Sequence, residues 1–130
     1  MPANEPTVIY RPMRRAKDGK PELGASLATL GVRPDKDVPM DDDGYVEPLS
    51  GGMSVTPDRL EDVPPSLLPR KYGGEGRHTL FLLLVSMLPP QLRARIDKPR
   101  HANVEPTQRC LFVDYNGRVQ GTRLDWVIHE

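Results

Sequence analysis

Cysteine is nearly absent: Cys110 is the only one among 130 residues. A single thiol closes no internal disulfide and cannot hold a structural zinc alone. Cys110 has neither a CxxC partner nor papain-like surroundings, so it reads as a small buried hydrophobe. Aromatic residues make up 5% and hydrophobic residues 37%, which limits the core to a modest size. An excess of charge is missing too, since 18 Lys+Arg balance 18 Asp+Glu for a formal net charge of zero. That balance gives no support to a general binder of nucleic acid or membrane surfaces. The longest apolar run, Leu80 to Leu88 broken only by Ser86, is about half of the roughly 20 residues a spanning helix needs. It reads as a buried strand. Met1 to Glu5 lacks the basic-then-apolar design of a secretory signal, so a cytoplasmic protein without membrane partners is expected.

Proline and glycine are plentiful, at 15 and 11, and favour short elements joined by stiff, irregular loops. The length fits one domain spanning residues 1–130. Thr7 to Tyr10 is β-branched and aromatic and reads as a short strand, with Pro12 ruling out a long central one. Leu23, Leu27 and Leu30 stand near helical spacing before Gly31, so one to two helical turns are expected there. Asp41-Asp42-Asp43-Gly44 lacks the alternating oxygen ligands of an EF-hand loop and reads as a solvated turn. Gly51-Gly52 permits a close backbone approach before a short strand at Met53-Ser54-Val55. Pro64-Pro65 prevents a long helix between Asp58 and Leu68, and Gly73-Gly74-Glu75-Gly76 is a second flexible segment. A strand over Thr79 to Leu88 then ends at Pro89-Pro90. Leu92, Ala94 and Ile96 alternate with Arg93, Arg95 and Asp97, as on a half-exposed strand. Asn103 to Glu105 is a further short strand, ended by Pro106.

Two patterns compete near the C-terminus. Asn116-Gly117 between apolar flanks is a hairpin signal. Phe112, Tyr115, Val119, Thr122 and Trp126, by contrast, recur at steps of three and four and trace one helical face. Gly117 and Gly121 each weaken a helix by roughly 1 kcal/mol relative to Ala. Local physics leaves the choice open.

Familiar catalytic motifs are missing: there is no Walker loop, GxGxxG, HExxH or GxSxG. His78, His101 and His129 have no zinc-like spacing, so no metal centre is expected. His129, beside the terminus, reads as exposed, and Ser54 as a strand residue whose hydroxyl meets a neighbouring backbone group.

In order along the chain, Tyr10-Arg11, Leu30-Gly31-Val32-Arg33, Asp43-Gly44 with Pro48, and Gly51 to Val55 form an ordered set. Pro64-Pro65, Gly73 to Gly76, His101-Ala-Asn-Val-Glu105-Pro106, and the stretch from Phe112 through Tyr115 and Thr122-Arg123 to Trp126 complete it. Together they span residues 7–126. This combination resembles the small bacterial type VI secretion toxin family with an ADP-ribosyltransferase-like fold. The resemblance implies an amphipathic helix at Phe112 to Trp126. The expected fold is therefore α+β: a small, bent, antiparallel-rich sheet with a few short helices and a C-terminal helix.

The same resemblance implies chemistry that breaks the bond between nicotinamide and ribose in NAD through a sugar cation. Tyr10, Arg11, Gly51 and Gly52 would bind the cofactor, with Arg11 on a phosphate or ribose. Ser54 would fix the nicotinamide pocket or a catalytic carboxylate, Glu105 would stabilise the cation and orient the incoming nucleophile, and His101 would contact the ribose. A toxin acting in a target cell's cytoplasm also implies an immunity partner in the producer and an acceptor molecule. The alternative is a binding module of the same fold without turnover, since Met53 stands where relatives can carry a threonine. A nuclease has little support, with no acidic metal cluster or basic stripe in the sequence.

Overall fold

β-branched and aromatic residues near the N-terminus and after each glycine or proline break set where extended chain begins. In the computed structural model, which describes residues 5–130, these become β1 (Val8–Met13), β2 (Tyr45–Val46), β3 (Met53–Pro57) and β4 (Thr79–Leu84). β5 (Leu92–Lys98), β6 (His101–Pro106), β7 (Cys110–Leu111), the helix α1 (Phe112–Gln120) and β8 (Val127–Ile128) follow. Most of the stretch Met1 to Glu5 lies outside the described residues. Six strands form one sheet in the order β5-β6-β3-β1-β4-β8, while β2 and β7 pair separately. The pairings among these strands are all antiparallel. The chain is thus a small α+β domain with an antiparallel sheet and a C-terminal helix. Among the described residues no helix is long and apolar enough to cross a membrane.

The register sorts the side chains onto two faces. Ile9, Met13, Met53, Val55, Phe81, Leu83, Ala94, Ala102 and Val104 lie on one, and pack with Tyr115, Val119 and Trp126 into the main core. On the other face a smaller cluster of Val63, Leu68 and Leu80 is joined by Tyr10, Leu60, Leu67 and Tyr72. That cluster covers only part of its face. Ser54, His101, Asn103, Glu105, Arg93 and Arg95 share the remainder, on neighbouring β3, β6 and β5.

β3 divides its pairing between two partners. Met53, Ser54 and Val55 pair with β6, whereas Thr56 and Pro57 pair with β1. β1 is central, against the expectation drawn from Pro12, and runs through that proline to Met13. The hydrogen-bond alternation explains why. Val85 donates to the Thr7 carbonyl and Asp58 to the Val8 carbonyl, so even-numbered residues of β1 turn their N–H groups toward β3. There the pairing stops at Tyr10, and Pro12 withholds no bond from β4. Were the register continued, residue 12 would donate to the Ser54 carbonyl. The Arg11 guanidinium does so instead, at 2.7 Å.

Other expectations also change. The segment around Leu23 to Leu30 is not helical but bends back on itself, with a bridge from Leu23 to Leu30. Leu30 is buried while Leu23 and Leu27 are exposed, so the helical spacing marks no common face. Gly31 is not a helix stop; a Cβ there would lie 2.1 Å from the Gly24 carbonyl oxygen. The strand expected over Thr79 to Leu88 ends at Leu84, opposite the first residue of β1, and one 3-10 turn follows. Leu84 and Met87 are exposed.

At the C-terminus the helix prevails, though it ends at Gln120 rather than Trp126, and a 3-10 turn over Arg123–Asp125 continues the chain. Nine residues are too few for a stable isolated helix. Docking supplies the difference, because Tyr115, Val119, Thr122 and Trp126 are all buried. Asn116 builds no turn; its Oδ1 accepts from the Val32 N–H at 2.9 Å. Thr122 Oγ1 accepts from Trp126 Nε1 at 3.0 Å and donates to the Val119 carbonyl at 2.7 Å.

Candidate active site

A glycine pair and a fork between strands prepare the site. Gly51 has φ +120, and a Cβ there would lie 2.5 Å from the Asp37 carbonyl oxygen. At Gly52 a Cβ would meet the Val104 carbonyl oxygen at 2.3 Å and Tyr115 Oη at 2.8 Å. Both positions need glycine for close packing. Tyr115 Oη accepts from the Met53 N–H and donates to the Val104 carbonyl, which ties β3 to β6. Burial pushes its phenol well above the ordinary range. This bracket fixes the strand that carries Ser54.

Beyond Tyr10, where β1 and β3 part, a cavity of about 90 Å³ opens. Leu27, Val55, Pro64 and Leu67 give it an apolar wall, while Tyr10, Arg11, Ser54, Thr56, Arg100 and His101 supply polar groups. Four of the residues singled out in the sequence therefore meet here: Tyr10, Arg11, Ser54 and His101. Gly51 and Gly52 lie apart, against Asp37, Val104 and Tyr115. Glu105 shares the sheet face but is fully buried, with its oxygens accepting from Arg93 Nε at 2.7 Å and Arg95 Nε at 2.9 Å.

Arg11 is 5% exposed. Its Nε and Nη2 both donate to the Thr29 carbonyl, Nη2 also to the Ser26 carbonyl, and Nη1 to the Ser54 carbonyl. These four bonds use four of the five guanidinium N–H groups. Burial lowers its pKa from 12.5 to about 10, against the opposing pull of Asp37, so it stays cationic at neutral pH.

Ser54 and His101 are 47 residues apart, yet His101 Nε2 stands 3.2 Å from Ser54 Oγ. The Ser54 hydroxyl thus meets an imidazole rather than the backbone group expected of a plain strand residue. On the ring's other side, Nδ1 stands 2.6 Å from Asp97 Oδ1, and Asp97 Oδ2 accepts from Asn103 Nδ2 at 3.0 Å. Asp97 carries no role in the sequence reading. Its placement depends on an irregularity between Ile96 and Lys98, where the register slips so that Lys98 opposes His101. The extra residue is re-aimed, as bulges often do. Burial opposes ionisation of Asp97, but the hydrogen bond and charge of His101, with hydrogen bonds from its own N–H and from Asn103, together outweigh it, and the carboxyl is held below its ordinary value.

The remaining candidates stand elsewhere. His129 is half-buried rather than exposed; its Nδ1 lies 2.8 Å from Tyr72 Oη and its ring meets Tyr10 edge-on at 5.9 Å. Cys110 is half-buried rather than fully buried, on β7 beside the helix and packed against the main core, and burial raises its thiol pKa. Asp41 to Gly44 forms the exposed turn expected, with Asp41 Oδ1 accepting from the Asp43 and Tyr45 N–H groups. No family model, curated protein or solved structure matches the chain.

Proposed function

We propose that this protein is an ADP-ribosyltransferase-like toxin that uses NAD in a target cell's cytoplasm. The observation that carries the reading is the convergence of Tyr10, Arg11, Ser54 and His101 on one cavity, from residues far apart in sequence. The cavity takes no more than one ring of a dinucleotide, with an apolar wall for its face and hydroxyl and imidazole groups for its polar edge. Arg100 lines the same cavity with a side chain 78% exposed, which suits a phosphate in solvent. NAD would supply the glycosidic bond that breaks. The chain's own groups hold the ring and orient the ribose, and the carboxylate already at His101 is Asp97. Glu105 reaches the site only on release from Arg93 and Arg95. An immunity partner would cover this cleft in a producing cell.

A second reading, a binding module of the same fold without turnover, is favoured by that clamp on Glu105. Regulated expression in bacteria separates the two. The transferase reading expects growth arrest, label transferred from radiolabelled NAD to cell material, and loss of both in Ser54→Ala and Arg100→Ala. Normal growth without label transfer, from a soluble and folded protein that still retains NAD in equilibrium dialysis, would overturn it in favour of the binding module.

A further inference from the structure

Two observations at the cavity reach beyond NAD chemistry: the order of the groups around His101 and the apolar wall beside Ser54. An ionised carboxylate can only accept hydrogen bonds. With Asp97 ionised, the proton between Asp97 Oδ1 and His101 Nδ1 is therefore on the ring. A neutral imidazole protonated at Nδ1 leaves Nε2 as an acceptor, and the group 3.2 Å from it is the Ser54 hydroxyl. Asn103 holds the second Asp97 oxygen, and Arg11 Nη1 holds the Ser54 carbonyl. His101 and Asp97 are reachable from solvent, with side chains 28% and 26% exposed, and Ser54 is half-buried.

We propose that Ser54, His101 and Asp97 form a nucleophile, a general base and its positioning residue, and that they take an acyl group from short-chain carboxylic esters. The order of contacts matches the logic of a serine hydrolase. The Leu27, Val55 and Leu67 side of the cavity accommodates a short apolar acyl chain, and its small volume excludes a long one. Ser54 Oγ bonds to the ester carbonyl carbon as its proton passes to His101 Nε2. The resulting oxyanion draws on Arg100, which lines the same cavity with a side chain 78% exposed and 3.9 Å from Asp62. Collapse breaks the bond to the alcohol oxygen, which leaves with the proton from His101. Water then attacks the acyl carbon as His101 accepts its proton, the bond from that carbon to Ser54 Oγ breaks, and His101 returns the proton to Oγ, leaving a carboxylic acid and free Ser54.

The test uses the whole chain, an alkyl phosphonofluoridate and p-nitrophenyl acetate. With the first, Ser54 Oγ bonds to phosphorus, fluoride leaves and the serine proton passes by way of His101 Nε2 to solvent. Intact-mass analysis is expected to show one adduct, and peptide mapping to place it on Ser54. His101→Gln and Asp97→Asn are each expected to slow the labelling by about 100-fold or more, with near-native Trp126 fluorescence as the check on folding. Asp97→Glu is expected to recover part of the labelling rate that Asp97→Asn loses, because a carboxylate again faces His101 Nδ1. p-Nitrophenyl acetate is expected to turn over in the wild type and not in Ser54→Ala, with p-nitrophenyl decanoate a poor substrate. An adduct elsewhere, no adduct on folded wild type, or labelling of folded His101→Gln at the wild-type rate would overturn the proposal. Because neither reagent is a nucleotide, these results stand apart from any loss or retention of NAD chemistry.

Discussion

Three backbone carbonyls, those of Ser26, Thr29 and Ser54, end on the guanidinium of Arg11. Deleting it leaves them without partners in a site that water reaches poorly, at a cost of about 1.5–3 kcal/mol for each charged hydrogen bond that is not replaced. Arg11→Ala is therefore expected to lower the unfolding free energy by about 3–5 kcal/mol, read from the urea midpoint. Arg11→Lys should recover only part of this, because an ammonium lacks the planar fork. A loss below about 1 kcal/mol would mean that solvent replaces the guanidinium. The sequence marks Arg11 as notable beside Tyr10, but not as a bond to the loop before Leu30, since nothing local predicts that the loop folds back. Ser54 is legible as a polar strand residue, but His101 only as a residue before the short strand expected at Asn103 to Glu105, which in the structure already begins at His101. Their meeting is a matter of register, and Asp97 joins them only through a bulge that has no sequence signature.

Elements were more readable than contacts. The alternation along β5 and the glycine pair before β3 lead directly to the observed strands. The error at Leu23 to Leu30 has a physical reason: three leucines at helical spacing make a helix only if a common face finds a core, and two of these stay in solvent. For α1 the balance runs the other way. The three-four spacing prevails over Asn116-Gly117 because the sheet offers its face a place to dock, with Trp126 anchoring the turn that follows. Trp126→Ala is expected to destabilise the protein by about 3–5 kcal/mol, measured by urea unfolding. A cost below about 1 kcal/mol would show that the C-terminal segment is undocked.

Across the whole molecule, several carboxylates tie distant segments together. Arg123 hydrogen-bonds Asp18 and depresses its carboxyl, with the Lys20 N–H adding to the effect. Asp41 is lowered first by the Tyr45 N–H and further by Arg109. Asp97 is lowered despite its burial by His101. A carboxyl whose folded pKa lies below its unfolded value binds protons more readily in the unfolded chain, so its contribution is present above the unfolded value and lost on acidification. The urea midpoint is accordingly expected to hold near neutral pH and to fall as pH drops through and below about 4. Asp97→Asn should flatten part of that fall, and an acid-insensitive midpoint would contradict it. The parting of β1 from β3 at Pro12 has a longer consequence. Side chains along the cavity can be exchanged by mutation, but the hydrogen that would zip the two strands together is missing from the main chain itself. The opening therefore rests on a main-chain hydrogen missing at one residue, and the lining can be refitted for other ligands for as long as Pro12 is kept.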